Sequence, residues 1–158
     1  GKRLLLRETM PSYLFFCAMV SRLAYQKGVD LLPDVIRAME GKMQFVIEGK
    51  GDPHAEYIFG ELAARYPSSF AFRCVVDETL AHKIYAGGDM FLMPSRFEPC
   101  GLSQMIAMRY GSLPVVSKVG GLADTVKGYE GDMSAELKTG FFINNLDVNG
   151  LIGALNTL

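Results

Sequence analysis

The stretch DMFLMPSRFEPCGLSQ, Asp89 to Gln104, decides how the rest of the chain is read. Asp89 to Met93 reads as a strand, and the unbroken apolar run within it marks a central strand covered on both faces. Two prolines, an arginine, a glutamate, a cysteine and a glycine then follow without strand or turn periodicity. From Leu102 to Tyr110 the apolar spacing becomes helical. A buried strand, a chemically dense loop and a helix make one β-loop-α unit.

The same unit recurs on both sides. Tyr13 to Val20 reads as the first strand, with a loop over Ser21 to Gly28 and a helix through Val29, Leu32, Val35, Ile36 and Met39. Met43 to Ile47 is a second strand, followed by the turn Glu48 to Pro53 and a helix carrying Tyr57, Ile58, Leu62 and Ala63, which Pro67 ends. Phe70 to Val76 reads as the third strand and Glu78 to Ala86 as the next helix. Beyond the quoted stretch come a strand over Leu113 to Val116, a short helix over Leu122 to Val126, a strand over Gly140 to Ile143, and a helix from Val148 to Leu158. The segment Lys127 to Lys138 reads as a flexible insertion. Strands alternating with helical crossovers predict an α/β fold built on a doubly wound parallel sheet.

Composition narrows the function classes. The 158 residues are 49% hydrophobic and 21% charged, as in a globular domain. A formal net charge of −1 lacks the basic footprint that nucleic acid or an anionic membrane requires, so neither is an expected partner. Cys17, Cys74 and Cys100 are odd in number and lack CxxC spacing, which predicts no disulfide framework and a reducing, cytosol-like compartment. The longest apolar stretch, Tyr13 to Val20, falls far short of a membrane span. No cluster of His, Asp and Cys has metal-ligand spacing. His82, beside Leu80 and Ile84, reads as a packed or half-buried residue, and His54 as lying at a helix start.

In a doubly wound sheet ligands bind beyond the carboxyl ends of the strands, so the loops at 21–28, 94–101 and 117–121 are expected to lie near one another. Arg22 and Lys27 stand five residues apart. A guanidinium grips phosphate oxygens in pairs and an ammonium adds a point charge, so the two can hold a diphosphate. Solvated surface positions explain them equally well from spacing alone. Gly101 removes a side chain where a ligand would approach, and the helix starting near Leu102 aims free N–H groups back at the loop. Glu98 beside that anion site suits hydroxyl groups attached to a phosphate; pairing with Arg96 or capping the next helix are the bland alternatives. Val119-Gly120-Gly121-Leu122 reads as a third anion-compatible turn with free amides, and Gly49-Lys50-Gly51 as a plain turn. Ser95, Ser103 and Cys100 have no visible base, and no nucleophile elbow occurs, so covalent hydrolase chemistry is unsupported.

Taken in order, Ser21-Arg22-Leu23 with Gln26-Lys27-Gly28, Pro94 to Leu102, Arg109-Tyr110-Gly111 and Gly120 to Val126 resemble bacterial glycogen synthases and plant starch synthases. The resemblance runs from about Ser21 to Phe142. It implies a Rossmann-like, nucleotide-sugar-binding C-terminal domain of a two-domain GT-B enzyme. Such enzymes transfer glucose from ADP-glucose, with retention, to the non-reducing 4-hydroxyl of an α-1,4-glucan and release ADP. By this resemblance Arg22 and Lys27 neutralise the diphosphate and Glu98 holds the donor glucose. The backbone around Cys100, Gly101 and Leu102 fixes glucose and phosphate, and the Ser103 hydroxyl reaches the same phosphate. The implied partners are the nucleotide sugar and, through an N-terminal domain, the glucan acceptor, with no metal or other cofactor and a cytoplasmic setting, or a plastid for a plant chain.

Two positions depart from the family pattern. Ile106 stands where many GT-B enzymes place a ribose-binding acid, and Val76 stands where the family often has an aromatic residue for adenine. The family's Lys-x-Gly-Gly loop is not found, and Lys138-Thr139-Gly140-Phe141 reads as a strand entry. The chain alone is therefore expected to bind donor weakly and not to elongate glucan. A GT-B transferase with another donor, or a noncatalytic nucleotide- or glucan-binding module, are the alternatives.

Overall fold

The structure, a computed structural model, describes residues 14–128 and 138–157. Tyr13, Leu158 and most of the segment read as an insertion lie outside the described residues. Six strands form one parallel sheet: β1 Phe15–Val20, β2 Met43–Glu48, β3 Phe70–Arg73, β4 Met90–Met93, β5 Leu113–Ser117 and β6 Phe141–Ile143. Their order is β3-β2-β1-β4-β5-β6, with every pairing parallel. This is the doubly wound, Rossmann-like arrangement expected, and the chain reverses its winding direction between β1 and β4.

Among the described residues six α-helices cover the sheet: α1 Leu32–Ala38, α2 Pro53–Arg65, α3 Glu78–Gly87, α4 Ser103–Arg109, α5 Gly120–Thr125 and α6 Val148–Leu155. Their buried side chains sort into two cores. Cys17, Met19, Phe45, Ile47, Met90 and Leu92 point to one face, where α1, α2 and α6 pack. Ala18, Val46, Phe91, Met93 and Val116 point to the other, beneath α3, α4 and α5. Strand side chains alternate between faces, and all four residues of β4 are buried because each face has its own helical layer.

Three differences from the sequence reading have local causes. The helix expected from Val29 begins as a short 3₁₀ turn, Val29–Leu31, before α1, and the loop ahead of it holds another, Tyr25–Lys27. β3 stops at Arg73, opposite Glu48, because β2 has no further residue to pair with it. Val75 and Val76 therefore leave the sheet, and Val76 is 86% exposed. His82 is exposed on α3, with its ring edge-on to Tyr85 and Tyr110 and its Nδ1 2.9 Å from the Tyr110 hydroxyl. His54 does lie at a helix start, in the first turn of α2.

Capping matches the local sequence. Asp52, Asp77 and Asp147 precede α2, α3 and α6, and each carboxylate accepts a hydrogen bond from the amide three residues on. Among the described residues no helix is long and apolar enough to cross a membrane.

The first core supplies a stability test. Phe59 is fully buried, with its ring 6.0 Å from that of Phe70 and 5.5 Å from that of Phe72. Phe59→Ala is expected to lower the unfolding free energy by about 3–5 kcal/mol in urea denaturation; a loss below about 1 kcal/mol would contradict this packing.

Candidate functional site

The winding reversal places the loop after β1 beside the loop after β4. Backbone hydrogen bonds continue past the end of β1: Ser21 N donates to Glu48 O at 3.0 Å, Leu23 N to Lys50 O at 2.8 Å, and Asp52 N to Leu23 O at 2.7 Å. Gly49-Lys50-Gly51 is thus more than a turn, since it carries the pairing that aims residues 21–23.

The two loops are joined by a dense set of contacts. Arg96 pairs with both carboxylate oxygens of Asp30, at 2.6 and 2.9 Å, and its Nη1 donates to Tyr25 O at 2.7 Å. The same guanidinium lies 3.8 Å from the centre of the Tyr25 ring. Arg96 N donates to Gln26 O at 2.8 Å, and Gln26 Nε2 donates to Phe97 O at 3.1 Å. Asp30 holds the Arg96 guanidinium above its ordinary pKa through that hydrogen bonding.

Inside this clamp sits the pair that the sequence left unresolved. The Glu98 carboxylate bonds neither to Arg96 nor to a helix end; Lys27 Nζ donates to its Oε2 at 2.6 Å. Ser95 Oγ donates to the same oxygen at 3.0 Å. Both side chains are largely shielded, 19% exposed for Lys27 and 10% for Glu98. Ser95 is itself fixed, because Ser117 Oγ at the end of β5 donates to its carbonyl. Oε1 of Glu98 makes no hydrogen bond with any described residue. A carboxylate with one oxygen committed and one open accepts hydrogen bonds from a ligand's hydroxyl groups without disturbing its anchor.

Of the other expected residues, Arg22 is exposed on the loop after β1, and its guanidinium contacts no described partner. Cys100 and Leu102 are exposed, and Gly101 adopts φ +69°, a left-handed conformation suited to glycine. Ser103 opens α4, and Tyr85 donates to its hydroxyl at 3.1 Å. The structure thus joins Lys27 to Glu98 directly and sets Cys100 to Ser103 along the continuation of the same loop.

The glycine pair at 120–121 is not a free anion turn. Gly121 N donates to Glu98 O at 3.0 Å, and a Cβ on Gly121 would lie 1.7 Å from Cys100 O. These glycines let α5 press against the 98–100 backbone.

Several residues that shape the site escaped the sequence reading. Gln104 is fully buried on α4, and its Nε2 donates to Gly101 O and to Thr125 Oγ1, both at 3.0 Å. It ties the loop to α5, yet in sequence it looks like any polar helix residue. Glu48, 2% exposed at the end of β2, accepts from Asp77 N at 2.8 Å and so fixes the segment carrying Val76. Burial, reinforced by the Asp77 carboxylate, pushes its pKa up against the lowering effect of that hydrogen bond. The only advance signal was a carboxylate closing an apolar strand. Ile106 is half-buried against the second core. Among the described residues, no group of three or more His, Cys, Asp or Glu side chains is placed to hold a metal.

Comparison with known proteins places this geometry. The family profile described as "Glycosyl transferases group 1" matches residues 14–158. The glycogen synthase of Elusimicrobium minutum is 54% identical over 138 residues, covering 87% of this chain and 28% of the relative. That of Desulforudis audaxviator is 45% identical over 138 residues, covering 87% and 27%. The chain spans under a third of the length of these relatives. Among solved structures, the catalytic domain of starch synthase IV from Arabidopsis thaliana, bound to ADP and acarbose, superposes with a TM-score of 0.84 at 37% identity, covering 94% of this chain and 32% of that one. Sucrose-phosphate synthase from Thermosynechococcus elongatus gives a TM-score of 0.73 at 26% identity, covering 93% and 36%. The chain accordingly belongs to the group 1 glycosyl transferases, and it is similar to part of bacterial glycogen synthases and of a plant starch synthase.

Proposed function

We propose that this chain is the donor-binding, C-terminal domain of a synthase that transfers glucose from ADP-glucose to the non-reducing end of an α-1,4-glucan, with retention and release of ADP. The observation that carries this reading is Glu98: a shielded carboxylate anchored by Lys27 and Ser95 through one oxygen, with the other open at the sheet's carboxyl edge. The family relationship and the ADP-bound starch synthase neighbour support the choice of donor.

In this reading Glu98 Oε1 accepts hydrogen bonds from donor glucose hydroxyls. Arg22 and Lys27 face the diphosphate. As the glycosidic bond to ADP breaks, negative charge builds on the leaving phosphate, and fixed cations at that point lower the barrier most. Arg22 brings an uncommitted guanidinium; Lys27 remains bound to Glu98 and is held in place by it. The backbone of Cys100, Gly101 and Leu102 positions glucose and phosphate, and the Ser103 hydroxyl donates to a phosphate oxygen. The reading uses side-chain cations for the charge and assigns no metal or other cofactor. The glucan acceptor binds a separate domain across a cleft, in a cytoplasmic or plastid compartment. With Val76 exposed and no aromatic residue at that position, the base is read by other groups.

Two measurements test this. In calorimetric titrations the chain is expected to bind ADP weakly and more tightly than UDP. Each of Arg22→Ala and Lys27→Ala should weaken ADP at least about tenfold, the lower end for a charge-assisted hydrogen bond; unchanged affinity in both would contradict the assignment. The chain alone should not incorporate labelled glucose from ADP-glucose into glucan, because catalysis needs both walls of a closed cleft. Incorporation above background would contradict the two-domain reading.

A further inference from the structure

Tyr85 is not accounted for by the site described so far. It lies on α3, is 5% exposed and faces the second core. Its ring is held on several sides: the Phe91 ring is 4.9 Å away, Tyr110 is stacked at 6.5 Å with 7° between planes, and His82 meets it edge-on at 6.1 Å. A ring packed this way cannot swing, so its hydroxyl occupies one place. That place is 3.1 Å from Ser103 Oγ, across the gap from α3 to α4.

A serine hydroxyl has one proton and two lone pairs. Tyr85 donates into one lone pair, and no described residue accepts the Ser103 proton. Ser103 is half-exposed. Burial raises the Tyr85 pKa against the lowering effect of the Ser103 hydrogen bond, with the Glu48 carboxylate adding to the rise. The ring alone satisfies the packing, so the hydroxyl has no other task among the described residues.

We propose that Tyr85 is a positioning residue of the donor site: by donating to Ser103 Oγ it leaves that hydroxyl's own proton free for a phosphate oxygen of a bound nucleoside diphosphate. This rests on the donor-site reading above. Without the phenol, the Ser103 hydroxyl rotates among several orientations and loses its bias toward donation.

The test is ADP and adenosine binding by the unsubstituted chain and by Tyr85→Phe, Ser103→Ala, the double variant and Ser103→Thr. Tyr85→Phe keeps the ring, and thermal unfolding checks that the fold survives. ADP affinity should fall about five-fold in Tyr85→Phe, the scale of one hydrogen bond, while adenosine affinity stays unchanged. Ser103→Ala should show a similar loss, the double variant no further loss, and Ser103→Thr, which keeps the hydroxyl, near-normal ADP binding. Equal losses for ADP and adenosine, or additive losses in the double variant, would overturn the proposal. If Arg22→Ala weakens ADP and Tyr85→Phe does not, the positioning role is wrong and the donor site stands. No ADP binding by the unsubstituted chain would overturn both.

Discussion

The contact on which the rest of the site depends is the bidentate pair between Arg96 and Asp30. An ion pair this exposed contributes little by itself. Its value here lies in its setting: the same guanidinium covers the Tyr25 ring and reaches Tyr25 O, while main-chain and amide hydrogen bonds join Gln26 to Arg96 and Phe97. Together they hold the loop after β1 against the loop after β4. Only then do Lys27 and Glu98, 71 residues apart in sequence, meet at 2.6 Å. The clamp fixes the geometry of the shielded pair inside it.

The two cations differ in their surroundings. Lys27 is paired with Glu98 and shielded, so its ammonium is held in place and anchors the carboxylate. Arg22 is solvated and uncommitted, free to take both oxygens of a phosphate. A ligand that brings hydroxyl groups to Glu98 Oε1 and phosphate to Arg22 satisfies both without breaking the internal pair. The supports run outward in layers: Ser117 holds Ser95, Ser95 holds Glu98, Gln104 holds Gly101, and α5 lies against the 98–100 backbone. Sites supported this way stay close to their working geometry before the ligand arrives.

The sheet was readable because its signals are local. The run Met90 to Met93 announced a strand covered on both faces, and the alternation of short apolar runs with helical spacing gave the winding. The unpaired Val75-Val76 shows the limit: apolar residues look like strand, but pairing ends where the neighbouring strand ends. Arg22, Lys27 and Glu98 could be singled out by residue type and loop position. Who pairs with whom could not, because the Arg96–Asp30, Lys27–Glu98 and Tyr85–Ser103 contacts all join residues from different elements. Gly120 and Gly121 illustrate the same point. A glycine pair suggests open amides, whereas the tertiary structure uses it for close packing.

If the loops after β1 and β4 form one donor site, a bound nucleotide sugar touches both. Amide chemical-shift mapping of the chain with ADP-glucose tests it most directly. The largest changes are expected within residues 21–28 and 94–103, on both loops together. Changes confined to one loop, or centred at the opposite, amino-terminal edge of the sheet, would contradict it.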